Sequence, residues 1–314
     1  MGEKQISIIG AGVIDVLVGA IDKNNFIGDS QDMDYVKLSF GGDALNEAIV
    51  LSRLGKKVQW ISKVGDDDAG RKILDYAEEN GVDISSVKIE SGLDTAVTIV
   101  LVDSRGERRF LTNPHSSLRK LTAEDILPHV DDMAQLVSFA SMFISPPLDV
   151  PAMEKLFRKI KAGGRTLAID MKPSKKGETL EDLSGVMPFA DYFWPNEEEL
   201  ATLTKSSDVH KNIDALLERG LKCAVVKRGG KGCVIATKNE RHEIPAYRVE
   251  KVVDTTGAGD SFAAGFLWAL SEGWKLEDCG KFACAVAGCS VEQIGAVAGV
   301  TSLEKAMSRY KTVR

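Results

Sequence analysis

At 314 residues, 44% hydrophobic and 27% charged, the chain has an ordinary globular composition and is long enough for one large α/β domain. A formal charge of −6, with basic runs no longer than Arg105–Arg109 and Lys227–Gly232, argues against a nucleic-acid partner, although either run could hold one anionic ligand. No basic leader precedes the first apolar segment, and no uninterrupted apolar stretch approaches a membrane span, so a cytoplasmic protein without a membrane partner is expected.

In chain order, Gln5–Gly12 reads as a buried strand with Asp15 at its end, and Val16–Phe40 as a polar, turn-rich region with short β pieces. Ala44–Gly55 and Ala69–Gly81 read as helices, each closed by a glycine, with the strand Val58–Gly65 between them. Thr95–Thr112 contains two strands around a Ser-Arg-Gly turn. Four further strands follow, Leu136–Ser145, Arg165–Asp170, Asp191–Pro195 and Cys223–Gly229, with helical segments between them. Short apolar strands alternating with amphipathic helices predict a mostly parallel sheet covered on both faces. The two regions that break this rhythm, about 13–40 and 95–113, suit a small β lid beside a ligand crevice. The five cysteines, Cys223, Cys233, Cys279, Cys284 and Cys289, lack C-x-x-C spacing and read as reduced, mostly buried thiols.

The stretch with the most chemistry is "DTTGAGDSF", Asp254–Phe262. Gly257 and Gly259 let backbone N–H groups approach an anion, and a helix with Phe262, Phe266, Ala269 and Leu270 on one face follows directly. Its N-terminus would aim free donors and a positive dipole end at a phosphoryl group. Asp260 has two readings that are compatible with each other: a general base for an attacking hydroxyl, or an N-cap of the helix. Asp43 also reads as an N-cap, behind the glycine turn Gly41-Gly42. Asn196 and Glu199 form a capping-box pattern after Pro195. "IIGAGVID" fails as a dinucleotide fingerprint, because Asp15 stands in place of the third glycine and no helical period follows. The four histidines, His115, His129, His210 and His242, are assigned no catalytic role.

"DTTGAGDSF" resembles the C-terminal signature of the ribokinase family, the PfkB carbohydrate kinases. "GGDALNEAIVLSRLG", Gly41–Gly55, resembles its N-terminal Gly-Gly motif, with "VGDDDAG" at Val64–Gly70 following. "NEEE", Asn196–Glu199, resembles its Asn-x-x-Glu motif. The resemblance spans nearly the whole chain. It implies a three-layer α/β/α sandwich with a small β-sheet lid, a ribokinase-like kinase domain over residues 1–314. The implied activity is ATP-dependent phosphorylation of a hydroxymethyl group on a small sugar or sugar-like substrate.

Carried over by position, Asp260 would be the catalytic base and Gly257, Ala258 and Gly259 the anion hole. Asp15, Gly41, Gly42, Asp43 and Asn46 would meet the substrate. Asn196, Lys227, Gly229 and Cys284 would contact the nucleotide, together with Gly257 and Gly259. Glu199 would serve magnesium through water, and the family's potassium site would fall on Asp254, Thr256, Ser290, Gln293 and Gly295. Relatives often dimerise through the lid sheet. Val13, Asp43 and Ser145 stand where ribokinase itself carries an asparagine, a lysine and a glutamate, which argues against ribose. A ketohexose, a keto-deoxy sugar acid and a nucleoside remain open as substrates, as does a non-catalytic sugar or nucleotide sensor. Arg105, Arg108 and Arg109 read either as receptors for an anionic sugar or as a solvated turn.

Overall fold

The fold is that of a computed structural model, which describes residues 4–21, 32–103 and 108–313. In its first half the elements are β1 (Ile6–Ile9), β2 (Val13–Ile21), β3 (Tyr35–Gly41), α1 (Asp43–Arg53), β4 (Val58–Gly65), α2 (Asp68–Glu79), β5 (Asp83–Glu90), β6 (Val97–Asp103), β7 (Arg108–Thr112) and α3 (Ala123–Ile126). Next come β8 (Leu136–Met142), α4 (Val150–Ala162), β9 (Thr166–Met171), β10 (Tyr192–Phe193), α5 (Glu197–Thr204) and α6 (Val209–Glu218). The last third holds β11 (Cys223–Lys227), β12 (Cys233–Ala236), β13 (Arg241–Ile244), α7 (Ala258–Ser271), α8 (Leu276–Ser290) and α9 (Leu303–Tyr310).

The larger sheet runs β13-β12-β11-β10-β9-β8-β1-β4-β5, parallel from β11 to β5 with the two terminal strands antiparallel. Its inner strands, such as β1, β4, β8 and β9, are buried on both faces, which is why they read as continuous apolar runs. Alternate side chains feed two cores. Leu136, Ala140, Cys223 and Val225 face one core with the apolar residues of α1, α2, α7, α8 and α9. Val137, Phe139, Ala224 and Val226 face the other, with those of α3, α4, α5 and α6. The result is a three-layer α/β/α sandwich. All five cysteines are free and buried.

A separate four-stranded sheet, β3-β2-β6-β7, pairs β2 with β6 in parallel and its outer strands antiparallel. One boundary differs from the sequence reading. Asp15 does not end the first strand: β1 stops at Ile9, Gly10 turns the chain at φ +146°, and Asp15 lies within β2, opposite Ser39 and Thr98. The last long helix, α8, ends at Ser290, and the chain turns onward through Gly295 at φ +103°.

Candidate active site

The C-terminal ends of β1, β8, β9 and β11 and the inner face of the smaller sheet converge on a cavity of about 1040 Å³. Ligands of open α/β sheets bind at such strand ends. Its wall carries Asp15, Gly42, Asp43, Asn46, Asn196, Glu199, Lys227, Gly229, Thr256, the run Gly257–Asp260, and Cys284.

Gly257 is the N-cap of α7, left-handed at φ +70°, with no side-chain cap. A Cβ there would come within 2.7 Å of the Ala296 Cα, so only glycine fits the close approach. Glycine brings no capping side chain, so the N–H groups of Gly259 and Asp260 remain without a backbone partner at the cavity wall, while that of Ala258 donates to the Thr255 carbonyl at 3.2 Å. Asp260 is not the cap. It sits at the third helical position, 7% exposed, and its Oδ2 accepts a 2.7 Å hydrogen bond from the Asn46 Nδ2. Burial, and after it the charge of Asp43, pushes its carboxyl up to about 6, against the pull of Lys172, Asn46 and Lys227. It is thus ionised at neutral pH yet close in pKa to it, which suits a general base.

Asp43 is not a cap either. Gly42, at φ +94°, caps α1, and a Cβ on it would meet the Ala11 carbonyl oxygen at 2.5 Å. The Asp43 Oδ2 instead accepts from the Ser141 hydroxyl and pairs with the Lys172 Nζ at 3.2 Å. Asp43 in turn, more than any other group, holds the Lys172 ammonium above its usual range. Asp15 lies across the cavity, its carboxyl pushed up to about 6 by burial, lowered by Arg108 and raised by Asp43. Gly41 backs it: a Cβ there would run into the Asp15 carboxylate.

The phosphate end rests on Lys227, whose Nζ lies 2.6 Å from the Asp170 Oδ2 and 3.5 Å from where a Gly259 Cβ would stand. Burial pulls this ammonium down, but Asp170 and Glu199 outweigh it and keep the charge in place. Asn196 and Glu199 close a reciprocal capping box at the start of α5: Asn196 Oδ1 accepts from Glu199 N, and Glu199 Oε2 from Asn196 N, each at 2.8 Å. Beyond Gly229 the cavity becomes apolar, walled by Cys284, Ala287, Gly288 and Val291 of the last long helix and its end, with Tyr247.

Other expected positions lie outside the cavity wall. Ser145 is buried and donates to the Leu121 carbonyl at 2.8 Å, while Ser141 and Ile144 line the cavity instead. Ser290 donates back to Ala287 at 2.8 Å within its helix, and Gln293 is exposed. Asp254 stands behind the glycine turn, 3% exposed, with both oxygens engaged. Oδ1 accepts from Thr256 N at 2.8 Å, Thr256 Oγ1 at 2.7 Å and Arg108 Nη2 at 2.6 Å, and Oδ2 accepts from Gly295 N at 2.9 Å. Burial opposes its charge, but these donors together hold it below the usual carboxylate range. Potassium does not fit this donor set as expected, because the one charged ligand is already paired with a guanidinium. Arg108 is therefore neither a solvated turn residue nor a free receptor for an anionic sugar. Arg109 is exposed, and Arg105 lies outside the described residues.

Asp170, Lys172 and Glu47 were missed by sequence reasoning, and the partner of Arg108 was not foreseen. Glu47 is fully buried on α1, where burial keeps its carboxyl far above the usual range and the Ser138 hydroxyl donates to it at 2.8 Å. Asp170 and Lys172 did carry a signal, since charges at the C-terminal end of an apolar parallel strand mark the ligand side of such a sheet.

Residues 4–303 match the pfkB family of carbohydrate kinases. Fructokinase-1 of Oryza sativa subsp. japonica is 30% identical over 277 residues, which cover 82% of this chain and 84% of that protein. The Arabidopsis thaliana ribokinase complexed with ribose and ATP superposes with a TM-score of 0.84 at 22% identity, covering 99% of both chains. The Methanocaldococcus jannaschii nucleoside kinase superposes at 0.78 with 24% identity, over 99% of this chain and 100% of that one. Family match, fold and cavity agree: the chain belongs to the pfkB family of carbohydrate kinases, ATP-dependent phosphotransferases with an alcohol group as acceptor.

Proposed function

We propose that the protein transfers the γ-phosphoryl group of ATP to a hydroxymethyl group of a neutral sugar, with a free ketohexose as the best-supported class. The observation that carries this reading is the placement of Asp260, a buried carboxylate at the mouth of an uncapped helix, oriented by Asn46. The acceptor hydroxyl would give its proton to the Asp260 Oδ atoms as its oxygen bonds to the γ-phosphorus, and the bond from that phosphorus to the bridging oxygen of ADP breaks. The backbone N–H groups of Gly257, Ala258 and Gly259, fixed before the reaction begins, would receive the charge on the transferring oxygens. Lys227 would add a fixed positive charge on the same side.

Asp15 and Asp43 supply acceptors for sugar hydroxyls, with Gly41 and Gly42 letting the substrate approach the backbone. Asn46 serves mainly through Asp260. With Asp15, Asp43 and Asp260 around this end of the cavity, a sugar acid meets repulsion that Lys172, paired with Asp43, relieves in part. That favours a neutral sugar, in keeping with the rice fructokinase as a relative. The apolar end near Cys284 suits a base, and Asn196 and Gly229 suit the nucleotide's polar parts. Glu199, whose second oxygen is not needed by the capping box, fits magnesium held through water, which supplies charge neutralisation on the phosphates.

The outer face of the smaller sheet supports a homodimer. Leu38, Ile99 and Leu111 share one cross-strand row, flanked by Val36 and Val97, and all five are substantially exposed. Such a contiguous apolar face fits a second copy of the chain. Sedimentation should therefore give a dimer, and Leu38→Asp a monomer.

A coupled ATP-turnover screen over ketoses, aldoses, sugar acids and nucleosides tests the substrate. Fructose or a related ketohexose should give the highest kcat/KM. Turnover confined to nucleosides or to sugar acids would overturn the neutral-sugar reading and leave the phosphoryl chemistry standing.

A further inference from the structure

Arg108, on the smaller sheet, reaches Asp254, in the loop before α7, across 146 positions of sequence. Asp254 ties two segments together. Its Oδ1 holds Thr256, immediately before the glycine turn, and its Oδ2 holds Gly295. Gly295 precedes Ala296, the residue against which Gly257 is packed. The position of the anion-hole backbone thus depends on this one carboxylate. Three neutral donors already hold this buried carboxylate, and the Arg108 guanidinium adds a full positive charge beside it.

We infer that Arg108, carried by the first residue of β7 in the small sheet, is a built-in cation that takes the place of a monovalent metal ion at Asp254 and positions the anion-hole turn. This rests on the anion-hole reading of Gly257–Gly259. Two features favour a guanidinium over an ion here. The 2.6 Å pair already neutralises Asp254, so a potassium ion would sit beside a fixed positive charge. The guanidinium also comes from the sheet that carries Asp15. The charge is therefore delivered only when that sheet stands over the cavity, which links lid position to the geometry of the phosphate site.

The test compares chloride salts of potassium, sodium and tetramethylammonium at constant ionic strength, read by thermal melting of the free protein and by turnover. The wild type should melt and turn over alike in all three. Arg108→Gln should lose at least about tenfold in kcat in tetramethylammonium, because it leaves a buried carboxylate unpaired. Potassium should restore part of both kcat and melting temperature, and Arg108→Lys should retain more of each without it. A wild type selectively stabilised or activated by potassium would overturn the inference. So would an Arg108→Gln protein whose melting and turnover ignore potassium. The melting arm needs no substrate, so a wrong sugar would leave this result readable.

Discussion

The N-termini of α5 and α7 place an acid at the same third helical position and use it in opposite ways. At α5, Glu199 folds back onto the Asn196 N–H while Asn196 accepts from Glu199, so the helix start satisfies itself. At α7, Gly257 contributes no side chain, and Asp260 turns away from its own helix to Asn46, 214 residues upstream. The first helix is closed by local bonds. The second has no side-chain cap, which leaves the Gly259 and Asp260 N–H groups unspent, and its acid is held by a distant element. A glycine cap in place of a side-chain cap gives up only about a few tenths of a kcal/mol of local stability, and here the donors it leaves unpaired lie at the cavity wall.

Breaking the open end should cost most. Gly257→Ala forces a left-handed alanine against Ala296 and displaces the donors, so kcat should fall by about 10²–10³, the usual effect of losing one such donor. Kinetics on a variant shown to be folded by circular dichroism would check this, and near-normal turnover would remove the anion hole from this turn. Asn46→Ala takes away the side-chain donor to Asp260 and should lower kcat at neutral pH by about tenfold. It should also raise the Asp260 carboxyl further and move the acid limb of kcat/KM upward.

That limb itself sharpens the contrast. With Asp260 and Asp15 both raised to about 6, the wild-type kcat/KM should fall as pH drops through that value. Asp15→Asn, in whatever activity it keeps, should leave a simpler single-group limb. At the closed end, Asn196→Ala should cost about 1 kcal/mol of stability, a small drop in melting temperature, with a far smaller loss of kcat than Gly257→Ala. Equal losses at the two ends would erase the distinction between them.

Local grammar was readable before the structure. The capping box at Asn196, the strand that begins at Cys223, the α/β alternation and the glycines of the α7 turn all depend on residues near one another in sequence. The order of motifs then pointed to the family. What the sequence left hidden was pairing at a distance. Lys227 with Asp170, Lys172 with Asp43, Ser138 with Glu47 and Arg108 with Asp254 join elements separated by 57 to 146 positions, with no periodicity to reveal them. The same gap explains the misread caps. Asp43 and Asp260 are good capping residues by type, but glycines already occupy the cap positions, and long-range partners claim both carboxylates.

The most direct measurement is Asp260→Asn, assayed for turnover, ATP binding and melting temperature together. A general base at Asp260 predicts a loss of about 10²–10⁴ in kcat with ATP affinity retained. It also predicts a sign for stability. The folded carboxyl titrates near 6 against 3.8 for the free group, so its favourable contribution exists at low pH and is lost as pH rises through 6. Above that pH the neutral amide should therefore melt higher than the wild type. An Asp260→Asn protein that turns over like the wild type would contradict the account.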